Sequence, residues 1–378
     1  MAKVVIVIPT YNEIEGTKKM IPALAKFFET VKDYDMHLLY ADDTSPDGTY
    51  KVVQKYQKKY KWLHLSMSTE KVGIGGAYVK AFKYARDKLD ADYIMEFDAD
   101  FQHRIEDIPN FLNAIKEDPD LVIGSRYVKG GSIPSEWGVK RKFFSVVGNW
   151  ICRAGFLMPK IHDFTTGFKL TKARGGLDKV PLDDLYSKDF AYKIQMTAEI
   201  ANKGGKVIEV PIVFKPRTEG ESKLIKNELG DFLRVIFLFQ WNNPKMRKFI
   251  KFGTVGFVGY LVNAIGLVIF AKYFTLEPLI WIFATELAII SNFILNNIWT
   301  FKEDKITGVW PLIKKFIQFN VTSAGALIIQ AVAGSIGVAI WGPGSRQILL
   351  PFIIVLLVLP YNYTMYNLVI WKSWRKKK

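Results

Sequence analysis

Two hydrophobic patterns divide the chain near residue 248. Before that point, short apolar runs alternate with amphipathic stretches. Val4-Val-Ile-Val-Ile8 is a β-branched run, and Met20, Ile21, Leu24, Phe27, Phe28 and Val31 recur at helical spacing over 17–32. The same reading predicts strands at 37–40, 63–66, 93–97, 121–124 and 212–214, helices at 49–60 and 74–89, and a loop over 42–48. Strands that alternate with helices of about ten to fifteen residues predict βαβ units and an α/β, mostly parallel sheet. Ligands of such sheets gather beyond the carboxyl ends of the strands.

After residue 248 the pattern changes to four long apolar stretches, 252–270, 279–299, 316–340 and 348–370. Each approaches the ~20 residues a helix needs to cross a bilayer. Glu286, Asn292, Asn296, Asn297, Gln318, Asn320 and Gln330 are polar positions inside them, and Glu286 is the most costly there. The loop holding Lys302, Lys305, Lys314 and Lys315 is basic, as is the tail 372–378, whereas the loops 272–278 and 341–347 carry one basic residue each. By the positive-inside rule this predicts a multi-pass protein of the cell membrane, with the soluble part and both termini cytoplasmic. The run 4–8 is too short for the apolar core of a signal peptide and reads as a strand.

Composition sharpens the division. Residues 249–378 carry 12 Lys/Arg and 4 Asp/Glu, against 40 and 32 in the first 248. The net charge is +16, and half the excess lies in the membrane part, where topology accounts for it. No nucleic-acid partner is therefore expected. One cysteine, Cys152, excludes a disulfide framework, and four histidines without an HExxH motif make zinc hydrolysis a poor reading.

The polar residues with chemical potential follow the predicted strands: Tyr11, Asn12 and Glu13 after the first, Asp42 and Asp43 after the second, Asp98 and Asp100 after the fourth. Asp98-Ala-Asp100 sets two carboxylates one residue apart at a buried strand's end, with Gln102 able to add an oxygen. Oxygen-only ligation suits Mg²⁺ or Mn²⁺, which also take phosphate oxygens. Val72-Gly-Ile-Gly-Gly-Ala77 lacks the third glycine of a dinucleotide fingerprint; its glycines let the backbone pass close to a ligand or start a helix. The stretches 140–151 and 229–241 mix basic residues with aromatics, as helices lying in a headgroup plane do; a buried core helix is the alternative for each.

In this order, Ile8-Pro-Thr-Tyr-Asn-Glu13, Asp42-Asp-Thr-Ser-Pro-Asp-Gly-Thr49, Gly73-Ile-Gly-Gly-Ala77 and Asp98-Ala-Asp100 resemble the GT-A core of glycosyltransferase family 2. Asp163-Phe-Thr-Thr-Gly-Phe-Lys169, Val210-Pro-Ile-Val-Phe214 and Arg217-Thr-Glu-Gly-Glu-Ser-Lys-Leu224 narrow the resemblance to the polyprenyl-phosphate sugar synthases, above all the dolichyl-phosphate mannose synthases. The likeness covers about residues 3–240, and the four apolar stretches are similar to a GtrA-like membrane domain. Ala41 and Thr166 depart from the family's usual Val/Ile and Ser without touching the charge pattern.

The resemblance implies a GT-A, Rossmann-like domain over 1–226, an interfacial helix and linker over 227–248, and an all-α domain of four transmembrane helices over 249–378. It implies inverting transfer of mannose from GDP-mannose to dolichyl (polyprenyl) phosphate on the cytoplasmic face, with Mg²⁺ or Mn²⁺. Pro9, Tyr11, Glu13, Asp42 and Asp43 would then form the nucleoside pocket. Asp98, Ala99 and Asp100 with Gln102 would hold the metal on the diphosphate, and Arg126 and Lys223 would reach the donor's phosphates. Arg126, Arg141, Ser145, Asn149, Asp163 and Thr165 would lie on the acceptor side. Arg217 would act beside Asp98 and Asp100 as a catalytic residue, bridging the two phosphates. A UDP-glucose donor remains open, as does a glycolipid flippase whose soluble part is regulatory.

Overall fold

The β-branched run at the start of the chain becomes the centre of a seven-stranded mixed sheet. Its strands are β1 (Ala2–Thr10), β2 (Tyr34–Asp42), β3 (Leu63–Met67), β4 (Tyr93–Glu96), β5 (Leu121–Ser125), β6 (Lys169–Lys172) and β7 (Val207–Pro211), in the order 3-2-1-4-6-5-7. All neighbours are parallel except β6, which runs antiparallel to both β4 and β5. The computed structural model describes residues 1–68, 72–215, 228–342 and 345–374. It divides into two compact units, Met1–Gln240 and Trp241–Lys378.

Burial on both faces explains why β1 reads as an unbroken apolar run. Val5 and Val7 face one core with Leu39, Ile94 and Ile123, while Val4, Ile6 and Ile8 face another with Leu38, Tyr40, Met95 and Val122. The second core is closed by α1 (Ile14–Thr30) and α4 (Ile108–Ile115), through Met20, Leu24, Phe111 and Leu112. The first is closed by α3 (Gly73–Asp87), α5 (Val139–Gly155), α6 (Tyr192–Asn202) and α7 (Glu228–Asn242). α2 follows β2, over Thr49–Gln57.

The strand expected at 212–214 lies earlier, at Val207–Pro211, and Val213 makes only a single bridge with Ser132. Beyond β7, side chains take the backbone groups: Asn110 Nδ2 donates to the Pro211 carbonyl and the Val213 amide donates to Asp107 Oδ2. That diverts the chain from a regular ladder.

α7 and α5 combine the two readings open to them. In α7, Val235, Ile236 and Phe239 are buried in the first core, while Leu229, Leu233 and Phe237, four residues apart, are exposed. Gln240 Nε2 donates to the Gly155 carbonyl at 2.6 Å, and a methyl on Gly155 would lie 2.6 Å from Ile236 Cγ2. In α5, Cys152 and Asn149 are buried, while Val139, Phe143, Val146 and Trp150 are exposed along one helical stripe.

The second unit is helical: α8 (Pro244–Phe270), α9 (Glu277–Leu295), α10 (Val309–Trp341), α11 (Arg346–Ile353) and α12 (Leu359–Met365). Among the described residues two segments, Pro244–Phe270 and Ile282–Thr300, are long and apolar enough to cross a membrane. The other two expected spans fall on α10 and on the run from α11 through α12. Small residues let α8 and α9 approach closely: a methyl on Gly266 would stand 3.2 Å from the Ala284 Cβ. Phe252, Phe293, Phe301, Phe319, Tyr366 and Trp371 form an aromatic core, with the Phe301 and Trp371 rings stacked at 4.2 Å. Asn297, one of the polar positions within a predicted span, closes the loop beyond its helix. Its amide pairs with both the N–H and the carbonyl of Ile306, and its oxygen also accepts from Trp371 Nε1.

Candidate active site

Three polar clusters stand at one edge of the sheet, each fixed by a strand end. At the first, the β1 and β2 ends are tied together by Asp42, which is buried. Its Oδ2 accepts from Thr10 Oγ1 at 2.9 Å and from Ser45 Oγ at 2.7 Å, and its Oδ1 accepts from the Ser45 amide at 2.7 Å. Ser45 Oγ in turn accepts from the Asn12 amide, and Thr49 Oγ1 accepts from the Glu13 amide. Asn12 sits at φ 58, a left-handed conformation that asparagine tolerates well. Pro9, Tyr11, Glu13 and Asp43 are half-buried around this knot. The predicted nucleoside pocket is thus brought together, and Asp42 acts within it as the post on which both loops turn.

The second cluster follows β4. The Asp98 side chain keeps 29% of its surface exposed, whereas Asp100 and Gln102 are buried. Asp100 Oδ1 accepts from the Gln102 amide at 3.0 Å, and Phe101 between them adopts φ 61. Gln102 Nε2 donates to the Lys215 carbonyl at 3.4 Å. α1 presses against this turn: a methyl on Gly16 would lie 2.7 Å from the Ala99 carbonyl oxygen. His103, stacked on Phe168 at 4.9 Å, has Nε2 at 3.6 Å from Asp98 Oδ2. Burial pulls its pKa down to about 4 despite the raising effect of Asp98, so the imidazole is neutral at physiological pH.

The third cluster joins the end of β5 to the loop before β6. Arg126 and Asp163 form a buried two-pronged pair, Nε to Oδ2 and Nη2 to Oδ1, both at 2.7 Å. The Arg126 amide donates to Asp163 Oδ2, and Nη2 also reaches Thr165 Oγ1 at 2.8 Å. Burial alone would push the Asp163 carboxyl up, but the charge and hydrogen bonds of Arg126 outweigh it and hold it below the usual range. Asn149 on α5 accepts from the Phe164 amide and donates to Thr165 Oγ1. Ser145 Oγ meets Tyr127 OH at 2.6 Å. Arg141 lies a turn earlier on α5, its guanidinium 4.1 Å from the Trp137 ring centroid. Arg126, expected to bind phosphate, spends its fork on Asp163.

Because β6 is antiparallel, with Glu96 opposite Lys169, the Asp163–Phe168 loop turns back toward the Asp98 turn. The second and third clusters meet at Gly167, where an added methyl would stand 3.5 Å from Asp98 Oδ2. The sequence reading missed the buried layer beneath. Tyr192 OH donates to Glu96 Oε2 at 2.6 Å, and Lys169 Nζ donates to the Phe164 and Lys193 carbonyls and to Thr197 Oγ1. Burial raises the Glu96 carboxyl and lowers the Lys169 ammonium to about 8. The signal was in α6, where Lys193, Gln195 and Thr197 are interleaved with Tyr192, Ile194, Met196 and Ala198 in one continuous buried run.

The glycines after β3 serve helix packing. The Gly75 amide donates to the Lys188 carbonyl at 2.8 Å, and a methyl on Gly73 would stand 2.6 Å from that oxygen. Arg217 and Lys223 lie outside the described residues.

Comparison with known proteins places this geometry. Residues 5–174 match the model of glycosyl transferase family 2, and residues 251–371 match the GtrA/DPMS transmembrane domain. A dolichol-phosphate mannosyltransferase of Pyrococcus furiosus is 32% identical over 334 residues, 87% of this chain and 89% of that protein. The chain belongs to glycosyltransferase family 2. In this family-2 enzyme the catalytic unit precedes a GtrA/DPMS membrane domain. An undecaprenyl-phosphate mannosyltransferase of Micrococcus luteus is 34% identical over 63% of this chain and 93% of its own length. Among solved structures, a mannosyltransferase of Pyrobaculum calidifontis in complex with GDP-Man and Mn²⁺ is 17% identical, over 99% of this chain and 88% of that one, with a TM-score of 0.38.

The donor set fits a hard divalent cation. Asp98, Asp100 and Gln102 offer only oxygen and amide groups from one turn; among the described residues no group of three or more His, Cys, Asp or Glu is placed to hold a metal ion. Two carboxylates with coordination left for substrate phosphate is the arrangement that Mg²⁺ and Mn²⁺ accept.

Proposed function

We propose that the protein transfers mannose from GDP-mannose to a dolichyl or related polyprenyl phosphate, with inversion, on the cytoplasmic face of the membrane. The observation that carries this reading is the meeting of the Asp98 turn and the Asp163–Phe168 loop across the β4–β6 pairing. It occurs in a chain related along most of its length to a dolichol-phosphate mannosyltransferase.

Asp98, Asp100 and Gln102 would hold Mg²⁺ or Mn²⁺. When bound, the cation supplies Lewis-acid neutralisation of the leaving nucleoside diphosphate. The knot around Asp42 sets the loop that carries Tyr11 and Glu13 and presents Asp43 for the nucleoside. Arg126, through Asp163, fixes the loop that bears Thr165 and Gly167, so its role is positioning. The acceptor phosphate is already largely dianionic at neutral pH, its second pKa being near ~6, and needs no base. Its oxygen bonds to the anomeric carbon as the bond from that carbon to the β-phosphate oxygen breaks. The electron pair leaves with GDP, and the configuration inverts.

The membrane unit crosses the bilayer four times, with the basic loop holding Lys302, Lys305, Lys314 and Lys315 on the cytoplasmic side. The exposed apolar stripes of α5 and α7 lie in the headgroup plane and bring the acceptor-side cluster to the lipid phosphate. The test is radiolabelled sugar transfer to dolichyl phosphate in liposomes by the purified protein. GDP-mannose should support transfer that EDTA abolishes and Mn²⁺ restores, and the product should be the β-anomer. Transfer from UDP-glucose alone would overturn the donor assignment, and an α-linked product would overturn inversion.

A further inference from the structure

Lys193 opens α6 and is 4% exposed, yet among the described residues its ammonium has no hydrogen-bond acceptor and no ion-pair partner. Its neighbour Lys169, equally buried, is saturated by three oxygens. The Phe190 and Tyr192 ring centroids lie 5.1 and 5.9 Å from Lys193 Nζ. An enclosed cation without a hydrogen-bonding partner is costly, and proteins keep one where something else completes it.

Gly167 shows where that ammonium points. A methyl built there would stand 2.6 Å from Lys193 Nζ, 3.3 Å from His103 Cε1 and 3.5 Å from Asp98 Oδ2. The ammonium and the carboxylate therefore flank one small space above a residue with no side chain, too far apart for a direct ion pair. That separation suits one bridging hydroxyl, which donates to a carboxylate while accepting from an ammonium. A phosphate oxygen fits less well, because it would face the Asp98 carboxylate without a proton to share. The edge of the His103 ring, through Cε1, closes the side of the space.

We propose that Lys193 is a donor-sugar binding residue, whose ammonium joins the Asp98 carboxylate in holding a hydroxyl of the hexose over Gly167. This rests on the reading of the chain as a nucleotide-sugar transferase. Gly167 then serves to leave the space open for the hydroxyl.

The test compares the affinities of GDP and GDP-mannose, each with Mn²⁺, for the full-length protein in detergent. Wild-type binding of GDP-mannose tests the transferase reading, and the ratio of variant to wild type tests the inference. Lys193→Met keeps the packing of the aliphatic stem and should weaken GDP-mannose about tenfold or more, as loss of a charge-assisted bond does, with GDP unchanged within twofold. Gly167→Ala should reproduce that selective loss, because its methyl displaces the flexible end of Lys193; it serves as the second variant if Lys193→Met fails to fold. An equal loss for GDP and GDP-mannose would place the contact on the diphosphate and overturn the sugar assignment. Affinities unchanged for both ligands in a folded variant would leave Lys193 no part in binding.

Discussion

Replacing Arg126 with methionine removes one half of a buried ion pair and leaves Asp163 behind, fully enclosed. Three hydrogen bonds from Arg126 to the carboxylate vanish or weaken, two from the guanidinium and one from the backbone, together with the bond to Thr165. Removing one partner of a buried pair typically costs about 3–5 kcal/mol. A domain of this size loses roughly 2–4 °C of melting temperature per kcal/mol, so Arg126→Met should lower Tm by about 6–20 °C. Asp163→Asn should do likewise. Arg126→Met combined with Asp163→Leu, which leaves no orphan charge, should melt well above the sum of the single losses. Acid stability gives an independent reading. A depressed carboxyl binds fewer protons folded than unfolded, so its contribution is complete above the ordinary value of 3.8 and is lost as pH falls through the lower folded-state value. Wild type should therefore lose stability below about pH 4 more steeply than Asp163→Asn. The assay is thermal unfolding in detergent across pH. Single variants that melt within about 2 °C of wild type, or that add without coupling, would show that the pair does not hold the acceptor loop.

Asp100→Asn should abolish Mn²⁺-dependent transfer while Tm stays within a few degrees; turnover that persists in EDTA would remove the metal assignment. Gly16→Ala forces a methyl against the Ala99 carbonyl oxygen, 2.7 Å away, and should raise KM for GDP-mannose severalfold; an unchanged KM would mean the Asp98 turn has freedom to yield. A chain ending at residue 242 should fold and bind nucleotide, whereas one ending at 226 should aggregate, since Val235, Ile236 and Phe239 belong to the first core. Equal solubility of the two, together with a loss well below the usual ~3–5 kcal/mol for Phe239→Ala, would place α7 outside the catalytic unit. Arg217→Ala should lower kcat by about 10²-fold at unchanged Tm; a rate within about twofold of wild type would make it a surface charge.

The parts of the fold legible in the sequence were those set by local pattern. β1 and the helices through α3 follow from apolar spacing and lie within a few residues of the expected positions. The direction of β6 was not legible, because pairing sense depends on where a connection of more than forty residues, α5 included, returns, and no local pattern encodes that. The strand expected at 212–214 was misplaced because a β-branched run looks the same whether its backbone continues a regular ladder or makes scattered bonds, here of Ile212 with Ser125 and Ser132, Phe214 with Ser132 and Val213 with Asp107. At the site, strand-end carboxylates announced themselves by type and position. Their division of labour did not: Asp42 and Asp43 are neighbours in sequence, yet one is the buried post and the other faces outward. Lys169 and Lys193 carry ordinary surface residues' names, and only the burial of α6 reveals that they are interior cations.

That burial bears on how the acceptor phosphate is held. The sheet edge carries the carboxylates Glu96, Asp98, Asp100 and Asp163 beside the cations Arg126, Lys169 and Lys193. Arg126 is committed to Asp163, Lys169 to three neutral oxygens, and Lys193 to the space over Gly167. If Asp98 and Asp100 take the cation as proposed, metal with nucleotide sugar should bind first and the acceptor second, because the cation offsets the carboxylates of that turn. Building the Arg126–Asp163 pair into the core keeps its charge out of competition with a mobile anion.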